Sequence, residues 1–206
     1  MSSLSTKQIH DISGRSEAVA EYFIQGAIIL KKIMLTGEIG VGKTTLLNRL
    51  LNLIHYNKKI YGYRTEKDTV GDKHYDIGKV YIYPATGKKI KSQANCVADL
   101  TGSKQFTAHT EIFETTGVQL LSNIPKGSIV VMDEIGFLES KAPKFSAKIK
   151  EIINNDYIVF GVIKPNNTPL LDYIRNNPNI DLFTITPANR DIIFEKIKSL
   201  IIKKNY

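Results

Sequence analysis

Cysteine occurs once in this 206-residue chain, and no apolar run approaches the length of a membrane span. A lone Cys96 excludes an internal disulfide framework and any cysteine cluster for zinc. A spanning helix needs roughly 20 consecutive apolar residues, so no membrane association is expected. Met1 to Asp11 is polar and lacks the hydrophobic core of a secretory signal, which makes a reducing cytoplasm the expected location. The four histidines (His10, His55, His74 and His109) show no ligand spacing and read as structural or surface groups. Acid is the scarcer charge: 28 Lys and Arg face 20 Asp and Glu, giving a net charge of +8 and a pI near 9.4. That balance raises a polyanionic partner. The lysines are scattered, however (58/59, 88/89, 148/150, 203/204), so a solvated surface is the preferred reading over nucleic-acid binding. Nothing in the sequence names a protein partner.

What is present is ordinary for a globular chain, with 42% hydrophobic and 23% charged residues. Its length buries a full core, and residues 1–206 are expected to form one domain. Residues 1–30 read as an N-terminal extension with a short amphipathic helix (Glu17 to Gln25). Residues 67–105 read as a hairpin and loop insertion.

The strongest local signal runs from Ile33 to Leu47, I-M-L-T-G-E-I-G-V-G-K-T-T-L-L. Gly37, Gly42, Lys43 and Thr44 fit G-x-x-x-x-G-K-[ST], the phosphate-binding P-loop or Walker A motif. Its glycines let backbone N–H groups turn inward around a polyphosphate. Lys43 offers a point charge for the β- and γ-phosphates, and the Thr44 hydroxyl suits Mg²⁺. Ile33 to Thr36 reads as a buried strand and Thr44 to Asn52 as a helix, which sets the helix N-terminus against the phosphates. Gly37, Glu38, Ile39, Gly40, Val41, Gly42, Lys43, Thr44 and Thr45 are therefore the expected nucleotide-binding residues. The substrate class is a nucleoside triphosphate.

Further along, Lys59 to Thr65 has strand character, Lys67 to Lys73 is charged and turn-like, and Tyr75 to Tyr83 alternates as a hairpin strand with one wet face. Lys88 to Ser103 gives no regular pattern and reads as a loop. Thr110 to Ser122 contains a helix with Ile112, Phe113, Leu120 and Leu121 inward. Strands are expected at Ser128 to Met132, Tyr157 to Ile163 and Asp181 to Thr186. Helices are expected at Lys144 to Asn154, Leu170 to Asn176 and Asp191 to Ile202. Alternation of this kind means an α/β fold: a mainly parallel sheet between helices, with ligands at the carboxyl ends of the strands.

The Ser128 to Met132 strand ends in Asp133-Glu134, and such carboxylates are costly beside an apolar strand unless something uses them. Asp133 suits the Walker B role on Mg²⁺, and Glu134 is placed to take the proton of an attacking water. Arg64 and Arg190 are candidate cations for the transferring phosphoryl group. Asn189 either faces the base or caps the last helix. The guanine-reading N-K-x-D of simple GTPases is absent.

The P-loop, G-Y-R-T-E (62–66), D-E-I-G (133–136) followed by Glu139 and Phe145, and T-P-A-N-R-D (186–191) occur in this order. Together they resemble the P-loop nucleoside-triphosphatases of the cancer-related type, over roughly residues 33–200. The resemblance implies a RecA-like fold and Mg²⁺-dependent hydrolysis of several NTPs, ATP and GTP among them, to NDP and phosphate. It also implies that Lys164 points toward the γ-phosphate. The chain departs from the family pattern in carrying Phe137 after D-E-I-G, where Lys is common, and Lys164 where His is common. Two other functions stay open on sequence: an NTP-driven switch or assembly factor, and a nucleoside or nucleotide kinase. Glu134 and the want of an Arg-rich lid argue against the kinase.

Overall fold

The computed structural model describes residues 31–54, 59–69, 77–102 and 105–201. The expected helix at Glu17 to Gln25 lies outside them. Eight strands form one sheet in the order β5-β4-β3-β2-β6-β7-β1-β8. β1 (Lys32–Thr36), β2 (Ile60–Thr69), β6 (Ile129–Ile135), β7 (Ile158–Ile163) and β8 (Asp181–Thr184) make its parallel half. β3 (Ile77–Pro84), β4 (Cys96–Gly102) and β5 (Gln105–Ala108) extend it antiparallel from β2.

Helices cover both faces because the parallel strands are apolar on both sides. Along β6, Ile129 and Val131 face one core while Val130 and Met132 face the other, as the two-residue period of a strand requires. The first core is closed by α1 (Lys43–Ile54), whose Leu46, Leu47, Leu50, Leu51 and Ile54 recur at helical spacing, and by the C-terminal helix with Phe194 and Ile197. The second is closed by a helix over 110–120 and by Phe145, Ile149, Ile152 and Ile153 of Pro143–Asn154. The rings of Phe113 and Tyr63 lie 5.2 and 5.1 Å from that of Phe145. In chain order the helix over 110–120 is α2, Phe137–Ser140 is α3, Pro143–Asn154 is α4, Pro169–Arg175 is α5 and Arg190–Ile201 is α6. No helix among the described residues is long and apolar enough to cross a membrane.

The insertion differs from its sequence reading in three ways. β2 does not stop at Thr65: Glu66 to Thr69 continue it, paired antiparallel with β3 through Lys67↔Val80 and Thr69↔Gly78. β3 has no fully wet face, because Tyr81 and Tyr83 are buried with Cys96 on the side opposite Val80 and Ile82. Lys88 to Ser103 is not wholly a loop. After a turn at Gln93–Asn95 it becomes β4, with Cys96, Val97 and Ala98 buried. Pairing with β3 supplies the partners that make this polar-looking segment a strand.

Candidate functional site

The P-loop lies between the carboxyl end of β1 and the start of α1. Gly37 sits at φ +136°, and a Cβ there would lie 2.3 Å from the Ile185 carbonyl oxygen, so only glycine lets the loop leave β1 beside the segment after β8. Gly42 sits at φ +91°, and Arg190 Nη1 occupies the space a Cβ would need, 2.6 Å away. Arg190 thus lies against the loop, with its Nε buried and unpartnered. Lys43 is buried and donates to the carbonyl oxygens of Gly37 (2.8 Å) and Glu38 (2.7 Å). Burial draws its pKa down, with the Asp133 and Glu38 charges opposing.

β6 delivers the carboxylates. β2, β6, β7 and β1 are parallel, so residues at their carboxyl ends share one edge. Asp133 is paired in register with Arg64 of β2, and it is buried. The Thr44 hydroxyl donates to Asp133 Oδ1 at 3.5 Å, and Arg64 Nη1 donates to Oδ2 at 3.1 Å. Arg64 Nη2 also donates to Asn48 Oδ1 at 2.7 Å. Burial pushes the Asp133 carboxyl above the ordinary range, while Arg64, Thr44 and Lys43 pull it back. Glu134 Oε1 lies 2.9 Å from Lys164 Nζ, and its backbone N–H donates to Thr65 Oγ1. Lys164 follows β7, and its stem passes over Gly136, where a Cβ would meet Cδ at 2.8 Å.

A protein-family profile described as NTPase matches residues 32–198. That range covers far more than half of the chain. This chain belongs to the NTPase family. Among curated relatives of the P-loop nucleoside-triphosphatases, the nucleoside-triphosphatase THEP1 of Aquifex aeolicus is 30% identical over 179 residues, 82% of this chain and 98% of that one. The cancer-related nucleoside-triphosphatase homolog of Bos taurus is 26% identical over 184 residues, 81% of this chain and 94% of that protein. The crystal structure of THEP1 from Aquifex aeolicus matches with a TM-score of 0.65 at 27% identity, covering 82% of this chain and 98% of that chain. The P-loop α/β fold expected from the sequence is therefore the family's fold.

Within this family member the structure brings Lys43, Thr44, Arg64, Asp133, Glu134 and Arg190 to one edge of the sheet. Glu38, Ile39 and Gly40 form the exposed crown of the loop, and Ile39 is 91% exposed. Gly37, Val41 and Gly42 are half-buried, and Thr45 is exposed on α1. Asn189 is committed elsewhere: its Oδ1 accepts from Thr186 N–H and its Nδ2 donates to the Thr184 carbonyl, closing the turn before α6. It serves that turn rather than reaching outward. Sequence reasoning missed Asn48, which holds Arg64 in place. Its position four residues after Thr44, on the same face of α1, was the available signal.

Proposed function

We propose that the chain is a Mg²⁺-dependent nucleoside-triphosphate hydrolase in which Glu134 accepts the proton of the water attacking the γ-phosphorus. One observation carries the reading. The Thr44 hydroxyl and the Asp133 carboxylate, 89 residues apart, meet at 3.5 Å beside Lys43, with Glu134 on the next residue. Those oxygens suit a hard cation that prefers oxygen ligands, so Thr44 and Asp133 would hold Mg²⁺. When bound, that ion would neutralise charge on the β- and γ-phosphate oxygens.

The chain's own groups supply the rest. P-loop N–H groups and the start of α1 bind the phosphates, aided by Lys43 once it exchanges its carbonyl partners for phosphate oxygens. Arg190, lying on Gly42, and Arg64, next to Asp133, bring positive charge to the leaving and transferring groups. Glu134 is held by Lys164 in this state. A γ-phosphate draws that ammonium toward itself and leaves the Glu134 carboxylate to orient and deprotonate water. A broad base preference belongs to the same reading. The names of the relatives support triphosphate hydrolysis as the activity.

Glu134→Gln tests the reading, since it keeps the shape and removes the proton acceptor. Single-turnover hydrolysis should fall about 10²-fold or more. Equilibrium nucleotide binding should stay near normal, because a base contacts the transition state and hardly the ground state. A variant that hydrolyses at the wild-type rate, or loses binding and rate together, removes Glu134 from this role.

A further inference from the structure

Five positions along the sheet from the P-loop strand β1, β4 and the segment after β5 bring Cys96, Asp99 and His109 together. We propose that these three side chains form a site for a soft or borderline divalent cation, zinc by donor type, that clips the outer sheet to the start of α2. Their ligating atoms all lie within 4.8 Å of one another. His109 Nε2 is 2.7 Å from Asp99 Oδ2, and Cys96 Sγ is 4.0 Å from Asp99 Oδ1. A tetrahedral zinc with bonds of roughly 2.0–2.3 Å spaces its ligands by about 3.3–3.8 Å, so sub-ångström shifts accommodate the ion.

Sequence separation alone predicts the wrong geometry. Residues three apart on a regular strand point to opposite faces. Here the register with β3 shifts between Val80↔Ala98 and Tyr81↔Cys96, leaving Val97 as the extra residue of a bulge. That bulge returns Cys96 to the face of Asp99, a re-aiming for which bulges are used. The far nitrogen of His109 is also oriented, since Nδ1 lies 3.6 Å from Glu111 Oε1. A ligating histidine characteristically directs its other nitrogen at a carboxylate or carbonyl.

Lys79 opposes the site: its ammonium forms an ion pair with Asp99 Oδ1. An ion-pair network of Lys79, Asp99 and His109 needs neither a thiol nor a bulge, yet both are present. Metal binding exchanges cations at Asp99. The Cys96 thiol proton leaves to solvent as the sulfur–metal bond forms, His109 gives up the Nε2 proton it donates to Asp99 and keeps one on Nδ1, and Lys79, with a flexible stem and a 44% exposed side chain, turns outward still protonated. Three protein donors leave the fourth position to water.

Because Cys96 is the chain's one thiol, Co²⁺ reports the site without ambiguity. The full chain is freed of metal by chelation, kept reduced, and titrated with Co²⁺ in the absence of nucleotide. The expected result is a thiolate-to-cobalt charge-transfer band saturating at one equivalent, abolished by added Zn²⁺ and absent in Cys96→Ser. His109→Ala should weaken Co²⁺ binding at least tenfold, with nucleotide binding used to confirm folding. Lys79→Met keeps every ligand and removes the competing cation, so it should tighten binding several-fold. The proposal is overturned by a wild-type chain that gives no such band at one equivalent, or by binding that is undiminished in His109→Ala. It is equally overturned by a Lys79→Met chain that binds no more tightly than wild type. None of these readings depends on hydrolysis.

Discussion

Replacing Glu139 with Gln should flatten the pH dependence of stability. Glu139 opens into the core from α3, is 5% exposed, and accepts the Gly136 N–H at 2.8 Å. Burial pushes its carboxyl up from 4.5 to about 7, against the pull of that N–H. The folded-state value lies above the unfolded one, so the fold favours the protonated acid. Its contribution is fully present below about pH 4.5, declines as pH rises, and is gone above about pH 7. At about 1.4 kcal/mol per pH unit, that interval is worth about 3 kcal/mol. Unfolding free energies of domains run to about 5–15 kcal/mol, so the effect is readily measured. Gln keeps the volume and the acceptor for Gly136 N–H but cannot ionise. Urea unfolding at fixed ionic strength should show the variant within about 1 kcal/mol of wild type at pH 5. At pH 8 the variant should be the more stable by about 2–3 kcal/mol. Parallel pH profiles, or a variant less stable than wild type at pH 8, would refute the reasoning.

Lys43→Ala should abolish phosphate release and weaken triphosphate binding by about 3 kcal/mol, roughly 10²-fold, because charge-assisted bonds to phosphate are lost; fluorescent-nucleotide titration measures it. Asp133→Asn should raise the Mg²⁺ concentration for half-maximal hydrolysis about tenfold or more while sparing nucleotide contact, since a hard cation loses a carboxylate. Gly62 sits at φ +97° with the Val131 carbonyl oxygen 2.0 Å from where a Cβ would stand. Gly62→Ala should therefore cost at least about 2 kcal/mol and lower Tm, as strain at the β2–β6 seam.

What could be read from the sequence was local chemistry. The P-loop declares itself because its backbone conformation admits few residues, and Asp133 because it ends an apolar run. α1 and α4 declare themselves because Leu46, Leu50, Phe145 and Ile149 keep helical spacing. What could not be read was pairing. Lys67 to Thr69 look like part of a charged turn until β3 lies beside them, and Lys91 and Lys89 then answer Asp68 and Glu66 from the next segment. β4 and β5 were invisible for the same reason. Their strand character comes from pairing with β3 and with each other, and the bulge at Val97 breaks the alternation that would have announced β4. For Asn189 the sequence left two roles open, and the structure shows the one at the turn. A motif gives the residue type but not which way a turn spends it, and Thr184 and Thr186 claimed both ends of its amide.

The charges at the phosphate edge bear on how the proposed hydrolase begins its cycle. Lys43 rests on two loop carbonyls, Arg64 on Asp133, and Lys164 on Glu134. These groups, assigned to phosphate, metal or water, thus already have partners within the chain, whereas Arg190 Nε has none among the described residues. A buried carboxylate such as Asp133 left bare would cost several kcal/mol, so Arg64 is what makes the proposed metal ligand tolerable without metal. Nucleotide binding is then an exchange of partners rather than the filling of an open charge, and only the difference between old and new contacts appears as affinity. The same exchange couples base to substrate. On the proposed mechanism Glu134 would be freed only when Lys164 has a better anion to meet, and a γ-phosphate would be that anion. A diphosphate, lacking it, would leave the lysine on the glutamate, so the carboxylate proposed to activate water would be withheld once the product forms.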